Sequence, residues 1–313
     1  MDVKKVSYEK LHQETMKYME NCSICPRDCK MNRNIGQTGY CSEDGQIKVA
    51  RADLHMWEEP CISGDEGSGA VFFSGCSMGC VFCQNRNIAT DEVGKVVTVE
   101  RLSDIFIELQ EKGANNINLV TPSHYVFQIR EAIMLGKEQG LKIPIVYNSS
   151  GYEKVETLRQ LDGFVDVYLP DMKYCEEAIA VRYSKAKNYF TTAKAALEEM
   201  VRQVGSPQFN LKGHMIKGVI VRHLALPGYG KDSKKVIRYL YETYKDNIYI
   251  SIMNQYTPLP FVKKYPEINR RLTDIEYNEL VEYAIDLGVE NGYIQEGETA
   301  SESFIPTFDY EGV

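Results

Sequence analysis

The sequence has no long hydrophobic run. Its 313 residues contain no stretch that approaches the ~20 consecutive apolar residues needed for a membrane-spanning helix. The opening segment, residues 1–6, contains Asp2, Lys4 and Lys5 and lacks the apolar core of a secretion signal. These two absences predict a protein that stays in the cytoplasm and does not enter a membrane.

Positive charge is scarce as well. Lysine and arginine together number 36 against 44 aspartates and glutamates, which gives a formal net charge of −8. Nucleic-acid binding needs a basic face that can neutralise phosphates, and the basic residues here are scattered along the chain. The composition therefore disfavours nucleic acid as a partner or a substrate.

Cysteine, in contrast, is abundant. The chain has nine cysteines, an odd number, and seven of them fall into two groups of short spacing. In a chain without an export signal, such spacing favours metal binding over disulfide formation. The N-terminal thiols are Cys22, Cys25, Cys29 and Cys41, and the second group is Cys76, Cys80 and Cys83.

The second group lies in residues 75–83, which we call the cysteine loop, after an apolar run that predicts a strand. Its spacing is C-x3-C-x2-C, and three thiolates can bind three irons of a cubic iron–sulfur cluster. The fourth iron then has no ligand from this loop, and an open coordination position is typical of catalytic metal sites. Gly75 and Gly79 lack a Cβ, which suits a backbone wrapped around a bulky group. The alternatives are a zinc site completed by Cys61 and a disulfide pair.

The N-terminal thiols could close a tetrahedral zinc site or hold a second iron–sulfur cluster. Their alternative is a set of four unrelated buried thiols. The spacing favours a metal, and the choice between zinc and iron–sulfur stays open.

The rest of the chain alternates between helical and strand-like segments. Helical periodicity is present at residues 7–20, 98–112, 125–138, 155–161, 176–184, 191–205, 233–244 and 274–287. Strands are predicted at residues 46–52, 70–73, 116–121, 143–147, 164–169, 218–226 and 248–253. Strands joined by crossover helices imply a parallel sheet, and the repeats are too few for a closed eight-stranded barrel.

We therefore predict an α/β fold with a partial (β/α)6 parallel barrel at residues 69–290. A helix and a small cysteine-rich, metal-binding extension at residues 1–68 precede the barrel. A C-terminal tail at residues 291–313 is expected to pack on it.

Polar residues follow the predicted strands at the ends where ligands of parallel α/β folds gather. These segments are residues 121–124, 148–151, 170–173, 222–228 and 254–257. Each alone could be an ordinary loop, and Ser149 or Asp171 could simply cap a helix. Together, beside the cysteine loop, they predict a binding site.

The cysteine loop, with the aromatic Phe82 before its last cysteine, resembles the cluster loop of the radical S-adenosylmethionine (radical SAM) superfamily. Two further segments, residues 171–173 and 221–228, resemble the pyruvate formate-lyase activating enzymes. A closer resemblance is to the PflX-type activating enzymes, a poorly characterised subgroup, and extends over almost the whole chain. Its segments are residues 25–27, 120–124, 169–174 and 304–306.

The resemblance implies two cofactors, a [4Fe-4S] cluster and SAM. The cluster would bind to Cys76, Cys80 and Cys83, and its open iron would take the amino and carboxylate groups of SAM. The turn at residues 121–124 stands where activating enzymes have a Gly-Gly-Glu segment that touches the SAM amino group. Because this turn has no glutamate, Thr121 or Ser123 would make that contact.

Further SAM contacts follow from the same resemblance. Asn148 and Ser149 would approach the ribose or the carboxylate, and Phe82 would lie beside the cofactor. Lys173 and Arg222 would bind the carboxylate, and Asp171 an amino group or a bound cation. Since buried charges are costly unless paired, we expect Asp171 to contact one of these two cations. His124 and His223 could move protons, contact substrate or be purely structural.

The resemblance implies an anaerobic oxidoreductase that cleaves SAM to a 5′-deoxyadenosyl radical. The first hypothesis is hydrogen abstraction from a glycine of a glycyl-radical enzyme, with a flavodoxin- or ferredoxin-type electron donor. Because the Gly-Gly-Glu segment is missing, a second hypothesis changes the substrate to another peptide or a small molecule. A third is a non-catalytic metal-binding or electron-transfer protein, in which the chain ligates both cysteine groups completely.

Overall fold

The computed structural model describes residues 7–90, 93–295 and 306–313. The helices are α1 Tyr8–Glu20, α2 Pro60–Ser63, α3 Arg86–Thr90, α4 Val99–Glu111, α5 Val126–Gln139, α6 Val155–Leu158, α7 Glu177–Ser184, α8 Tyr189–Val204, α9 Gly230–Tyr244 and α10 Asp274–Leu287. The strands are β1 Ile47–His55, β2 Ser68–Phe73, β3 Lys95–Val97, β4 Ile117–Val120, β5 Ile145–Ser149, β6 Val167–Pro170, β7 Gln208–Phe209, β8 Met215–Leu224, β9 Tyr249–Met253 and β10 Gly292–Ile294.

Within the described residues the strands form one sheet in the order β10-β9-β8-β6-β5-β4-β2-β1-β3, with β7 paired to β8. Along this order every neighbouring pair from β2 to β10 is parallel. Strand β1 is antiparallel to both β2 and β3, and β7 is antiparallel to β8. This mostly parallel, open sheet confirms the predicted α/β partial barrel. The six predicted barrel strands are all present, and β10 adds a parallel strand that was not predicted.

The helix boundaries have local chemical causes. Ser7, Thr98 and Thr273 each accept a hydrogen bond from the backbone N–H three residues further on, so α1, α4 and α10 begin beside a capping side chain. Gly140 and Gly288 take left-handed conformations at the ends of α5 and α10. These signals place the predicted helix ends close to the observed ones.

The two faces of the sheet bury different clusters, because side chains alternate along a strand. On one face, Tyr147 and Tyr168 join the large core beneath the helices. On the other face, Val146 and Val167 pack with Cys61 of α2. Since these valines stand at the starts of β5 and β6, α2 lies at the amino ends of the parallel strands.

The predicted N-terminal extension is joined to the barrel by main-chain pairing. β1 belongs to the extension as predicted, yet it pairs along its length with β2. In the described part of the C-terminal tail, the N–H of Ala52 donates to Glu311 at 2.9 Å and that of Tyr310 to Ala50 at 3.1 Å. Of the segment 304–306 that carried part of the resemblance, Phe304 and Ile305 lie outside the described residues.

None of the helices in the described ranges is both long and apolar enough to cross a bilayer.

Phe73 ends β2 and so fixes the point where the cysteine loop leaves the sheet. Its side chain is fully buried, with its ring centroid 5.7 Å from that of Tyr125. We expect Phe73→Ala to lower the free energy of unfolding by about 3–5 kcal/mol, because a large cavity replaces the ring. Urea denaturation measures this, and Val96→Ala in β3, where the side chain is 52% exposed, is the control. A loss below about 1 kcal/mol would contradict the packing described.

Candidate active site

The cysteine loop leaves β2 at the carboxyl ends of the parallel strands and brings its three thiols together. The Sγ of Cys76 accepts a hydrogen bond from the N–H of Met78 at 3.4 Å, and the hydroxyl of Ser184 donates to the Sγ of Cys80 at 3.0 Å. Burial raises the pKa of Cys76 to about 11 and that of Cys83 to about 12, and the neighbouring thiols add to both shifts. Cluster binding must therefore displace thiol protons.

The thiols of this loop have the donor set and spacing that a multi-iron cluster requires. All nine cysteines are unpaired, so no disulfide joins any of them. Among the described residues, no three His, Cys, Asp or Glu side chains converge closely enough to hold a single metal ion. Three sulfurs spread along one loop fit separate irons of a cluster.

Neither of the two remaining cysteines completes this group. Cys61 packs in α2 against Met215, the first residue of β8, and therefore lies at the opposite edge of the sheet. Cys175 follows β6, and the groups that act on its thiol are Asp232, Lys235, Lys194 and Glu176, with no thiol of the cysteine loop among them. The cysteine loop itself thus supplies three thiols and no fourth.

Gly75 and Gly79 are required where they stand for a reason that the sequence did not reveal, and the predicted role beside a cluster stays a prediction. Both take left-handed conformations, with φ of 82° and 83°. A Cβ on Gly75 would lie 2.4 Å from the Cγ of Glu43, and one on Gly79 would lie 2.7 Å from the hydroxyl of Tyr40. The glycines therefore admit the N-terminal segment, residues 21–46, against the loop.

Arg27 holds the cysteine loop from the outside. Its Nε donates to the carbonyl of Ser77 at 2.7 Å, and its Nη2 donates to that of Met78 at 2.8 Å. The guanidinium lies 3.7 Å from the ring centroid of Tyr40, whose hydroxyl also donates to Met78, at 3.0 Å. Two side chains of the N-terminal segment thus fix the carbonyls between Cys76 and Cys80.

The four N-terminal thiols line one small cavity, together with Arg33 and His124. Burial raises the pKa of Cys25 to about 12 and also raises that of Cys41. The four cysteines are thus neighbours in the structure. That they bind a metal stays a prediction.

The charged candidates form an ion-pair network inside the barrel. Asp171 was expected to contact one of the two cations, and it contacts both Lys173 and Arg222. Burial alone would raise the pKa of Asp171, but the two cations lower it below its usual value. Arg222 also donates to Glu58 at 3.2 Å and to the Oδ1 of Asn148 at 2.6 Å. Arg222 and Asn148 are therefore partners of each other and of the network.

Lys173 is the cation of this network nearest the cysteine loop. Burial alone would lower its pKa, but Asp171 and Cys80 raise it. In return, its charge acts to lower the pKa of Cys76 and Cys83.

The turn after β4 holds a second buried group of polar side chains. Thr121 is left-handed, with φ of 61°, a strained conformation for a β-branched residue. The Ser123 hydroxyl donates to the carboxylate of Glu153, which is 1% exposed. Burial raises the pKa of Glu153 to about 7, although hydrogen bonds from Ser123, Ser149 and Tyr147 act to lower it. A carboxylate therefore stands beside the turn that lacks the Gly-Gly-Glu glutamate.

The other predicted residues have structural partners. Phe82 is buried, with its ring centroid 5.9 Å from that of Tyr256, and the Ser149 hydroxyl accepts from the N–H of Gly151 at 3.3 Å. His124 donates to the carbonyl of Ser74 at 2.6 Å, and His223 to that of Met172 at 2.8 Å. Burial lowers the pKa of His124 to about 3 and that of His223 to about 4, so both rings are neutral at physiological pH.

Residues 70–240 match the model of the family described as Radical SAM superfamily, which is more than half of the chain. The chain belongs to the radical SAM superfamily. Membership implies a [4Fe-4S] cluster and SAM as cofactors, and it sets aside the hypothesis of a non-catalytic protein.

Three comparisons with known proteins accompany this match. An uncharacterized protein of Methanocaldococcus jannaschii, MJ0674, is 30% identical over 280 residues, which cover 85% of this chain and 74% of that protein. SuiB of Streptococcus suis, crystallised with S-adenosylmethionine, has a TM-score of 0.50 at 14% identity, covering 73% of this chain and 52% of SuiB. Methylornithine synthase (PylB) has a TM-score of 0.47 at 12% identity, covering 93% of this chain and 83% of PylB. The chain thus spans about half the length of SuiB, with which it shares a fold.

Four site residues were missed by sequence reasoning: Arg27, Tyr40, Glu58 and Glu153. Each acts through a partner far away in the sequence. The Arg27 signal was nevertheless visible, because Cys25-Pro26-Arg27 contributed to the resemblance.

The raised pKa of Glu153 predicts a pH dependence of stability. Its pKa rises from 4.5 to about 7 on folding, so the folded state binds the proton more tightly. Stability is therefore lost as the pH rises from 4.5 to about 7, by up to about 3 kcal/mol. Glu153→Gln should remove this loss, which urea denaturation between pH 4.5 and 8 will measure. The control is Glu156→Gln, which changes an exposed carboxylate; equal pH profiles for the two variants would refute the assignment.

Proposed function

We propose that Cys76, Cys80 and Cys83 bind the [4Fe-4S] cluster of this radical SAM enzyme, and that the enzyme activates a glycyl-radical protein. The observation that carries the proposal is a loop with three thiols and no fourth, set at the carboxyl ends of parallel strands. When bound, such a cluster supplies one electron to the sulfonium of SAM, which releases methionine and a 5′-deoxyadenosyl radical. That radical takes a hydrogen atom from the substrate, which yields 5′-deoxyadenosine and a substrate radical.

The residues around the loop suit a bound SAM molecule. Lys173 binds the SAM carboxylate, since its ammonium lies close enough to the thiols to alter their pKa. Asp171 keeps that ammonium charged and in place. Arg222, which also donates to Asn148, pairs with Asp171, while Ser149 approaches the ribose. SuiB, which shares the fold, has been crystallised with SAM.

The amino group of SAM is bound by the turn after β4. Thr121 and Ser123, which follow β4, bind this amino group. The carboxylate of Glu153 adds the negative charge that the turn itself lacks. A buried carboxylate that can share or accept a proton is able to neutralise an ammonium group. Phe82, which packs on Tyr256, lies beside the cofactor on the side of the cysteine loop.

The glycyl substrate and the PflX-type relationship rest on the likeness of residues 25–27, 120–124 and 169–174 to activating enzymes. The electron donor would be a flavodoxin- or ferredoxin-type protein. A second candidate keeps the radical and takes another peptide or a small molecule, and it is favoured by the missing Gly-Gly-Glu segment.

The first test is SAM cleavage. Protein reconstituted with iron and sulfide without oxygen, then reduced with dithionite, should convert SAM to 5′-deoxyadenosine and methionine. Cys76→Ala, Cys80→Ala and Cys83→Ala should each abolish the reaction, because each removes one of three iron ligands. Cys61→Ala is the matched control and should retain it; chromatography of the products gives the result. SAM cleavage by all three loop variants, or its loss in Cys61→Ala, would contradict the assignment of the cluster to the cysteine loop.

The second test concerns the substrate. Incubation with a glycyl-radical enzyme encoded by the same host should produce a glycine-centred doublet in electron paramagnetic resonance. The doublet should collapse when the partner is labelled with α-deuterated glycine, because its splitting comes from the α-hydrogen. SAM cleavage without this signal, for every such enzyme of the host, would favour the second candidate.

A further inference from the structure

The four N-terminal thiols, Cys22, Cys25, Cys29 and Cys41, all line the same cavity. The backbone brings them together: the N–H of Cys22 donates to Met31 and that of Lys30 donates back to Cys22, both at 2.9 Å. Cys41 reaches the group after the turn at Gly39. A Cβ on Gly39 would lie 3.0 Å from the Sγ of Cys29, so the chain passes as close to that sulfur as glycine allows.

Two groups on the cavity wall act toward the ionised form of sulfur, against the burial that raises the pKa of Cys25 and Cys41. The N–H of Tyr40 donates to the Sγ of Cys29 at 3.2 Å. The guanidinium of Arg33, 1% exposed, adds a buried positive charge to the wall. Hydrogen bonds and cations of this kind stabilise thiolates.

A second observation points to a ligand. His124 is 2% exposed and lines the cavity, and its Nδ1 has no hydrogen-bond partner among the described residues. Because its Nε2 donates to Ser74, the Nδ1 carries a free lone pair. Buried polar atoms without partners in native proteins call for an explanation, and an unplaced ion is one of them.

Residues next to the N-terminal cysteines in the chain connect the cavity to the cysteine loop. Arg27 stands between Cys25 and Cys29, and Tyr40 directly precedes Cys41. Both hold the carbonyl of Met78 in the cysteine loop.

We propose that the N-terminal thiols bind one metal centre through all four sulfurs, and that this centre holds Arg27 and Tyr40 against the cysteine loop. Binding releases the thiol protons to solvent and draws the sulfurs inward around the centre. Zinc and an iron–sulfur cluster share this four-thiolate chemistry. The described sulfurs do not converge on one point, so a single zinc requires them to move inward, whereas a cluster takes one iron for each sulfur. Arg27 and Tyr40 are positioning residues: they act on the catalytic cluster through the backbone of its loop. This second part rests on the assignment of that cluster to the cysteine loop.

The first experiment measures the metal content of a variant in which the cysteine loop has lost its three thiols. The variant Cys76→Ala/Cys80→Ala/Cys83→Ala, loaded without oxygen with zinc or with iron and sulfide, should bind about one zinc or about four irons per chain. Adding Cys22→Ala/Cys25→Ala should abolish this binding, whereas adding Cys61→Ala/Cys175→Ala, which also removes two thiols, should not. Elemental analysis and the visible absorption of iron–sulfur groups identify the metal. Equal metal content in the two five-fold variants would overturn the proposal, whether or not the enzyme cleaves SAM.

The second experiment tests the coupling with the N-terminal thiols intact. Arg27→Ala should keep the N-terminal metal but lose iron from the cysteine loop about tenfold faster under a chelator, the size of effect seen for residues that support metal ligands. Arg27→Lys should restore part of the retention, since an ammonium can still donate to one carbonyl. The control is Arg159→Ala, where the side chain is 62% exposed. Unchanged iron loss and unchanged cluster resonance in Arg27→Ala would overturn the coupling.

Discussion

The hydrogen bonds from Arg27 to the carbonyls of Ser77 and Met78 are the contacts on which the candidate site depends. A loop with two left-handed glycines has little conformational preference of its own, and it must nevertheless present three sulfurs in one arrangement. Hydrogen bonds from a charged guanidinium to buried carbonyls are among the stronger ones available to a protein. They hold the loop backbone in the conformation described. The N-terminal segment is therefore part of the candidate site, although it lies outside the region matched to the superfamily.

The barrel was predictable because its signals are local. Buried strands such as residues 116–121 and 248–253 are short apolar runs between helices of clear periodicity, and caps such as Thr98 mark the helix starts. β10 and β3 escaped prediction because each has only three residues and is largely exposed, so neither shows an apolar pattern. Their strand conformation is set by pairing with β9 and β1. Such tertiary effects cannot be read from a short segment.

The candidate site was predictable where ligands are close in sequence, as in the C-x3-C-x2-C loop. It was not predictable where distant elements meet. Glu58 lies between β1 and α2, with nothing local to mark it, and becomes a site residue through Arg222, 164 residues further on. Glu153 likewise acquires its role from Ser123. The glycines show the same limit: nothing in the sequence indicated that Gly75 and Gly79 also make room for Glu43 and Tyr40.

The network of Glu58, Arg222 and Asp171 also ties together parts of the chain that are distant in sequence. Paired ions that have left water cannot be separated without exposing unmatched charge, so these side chains hold the segment before α2, strand β8 and the residue after β6 in one arrangement. Loss of Arg222 would leave the carboxylate of Glu58 without this cation.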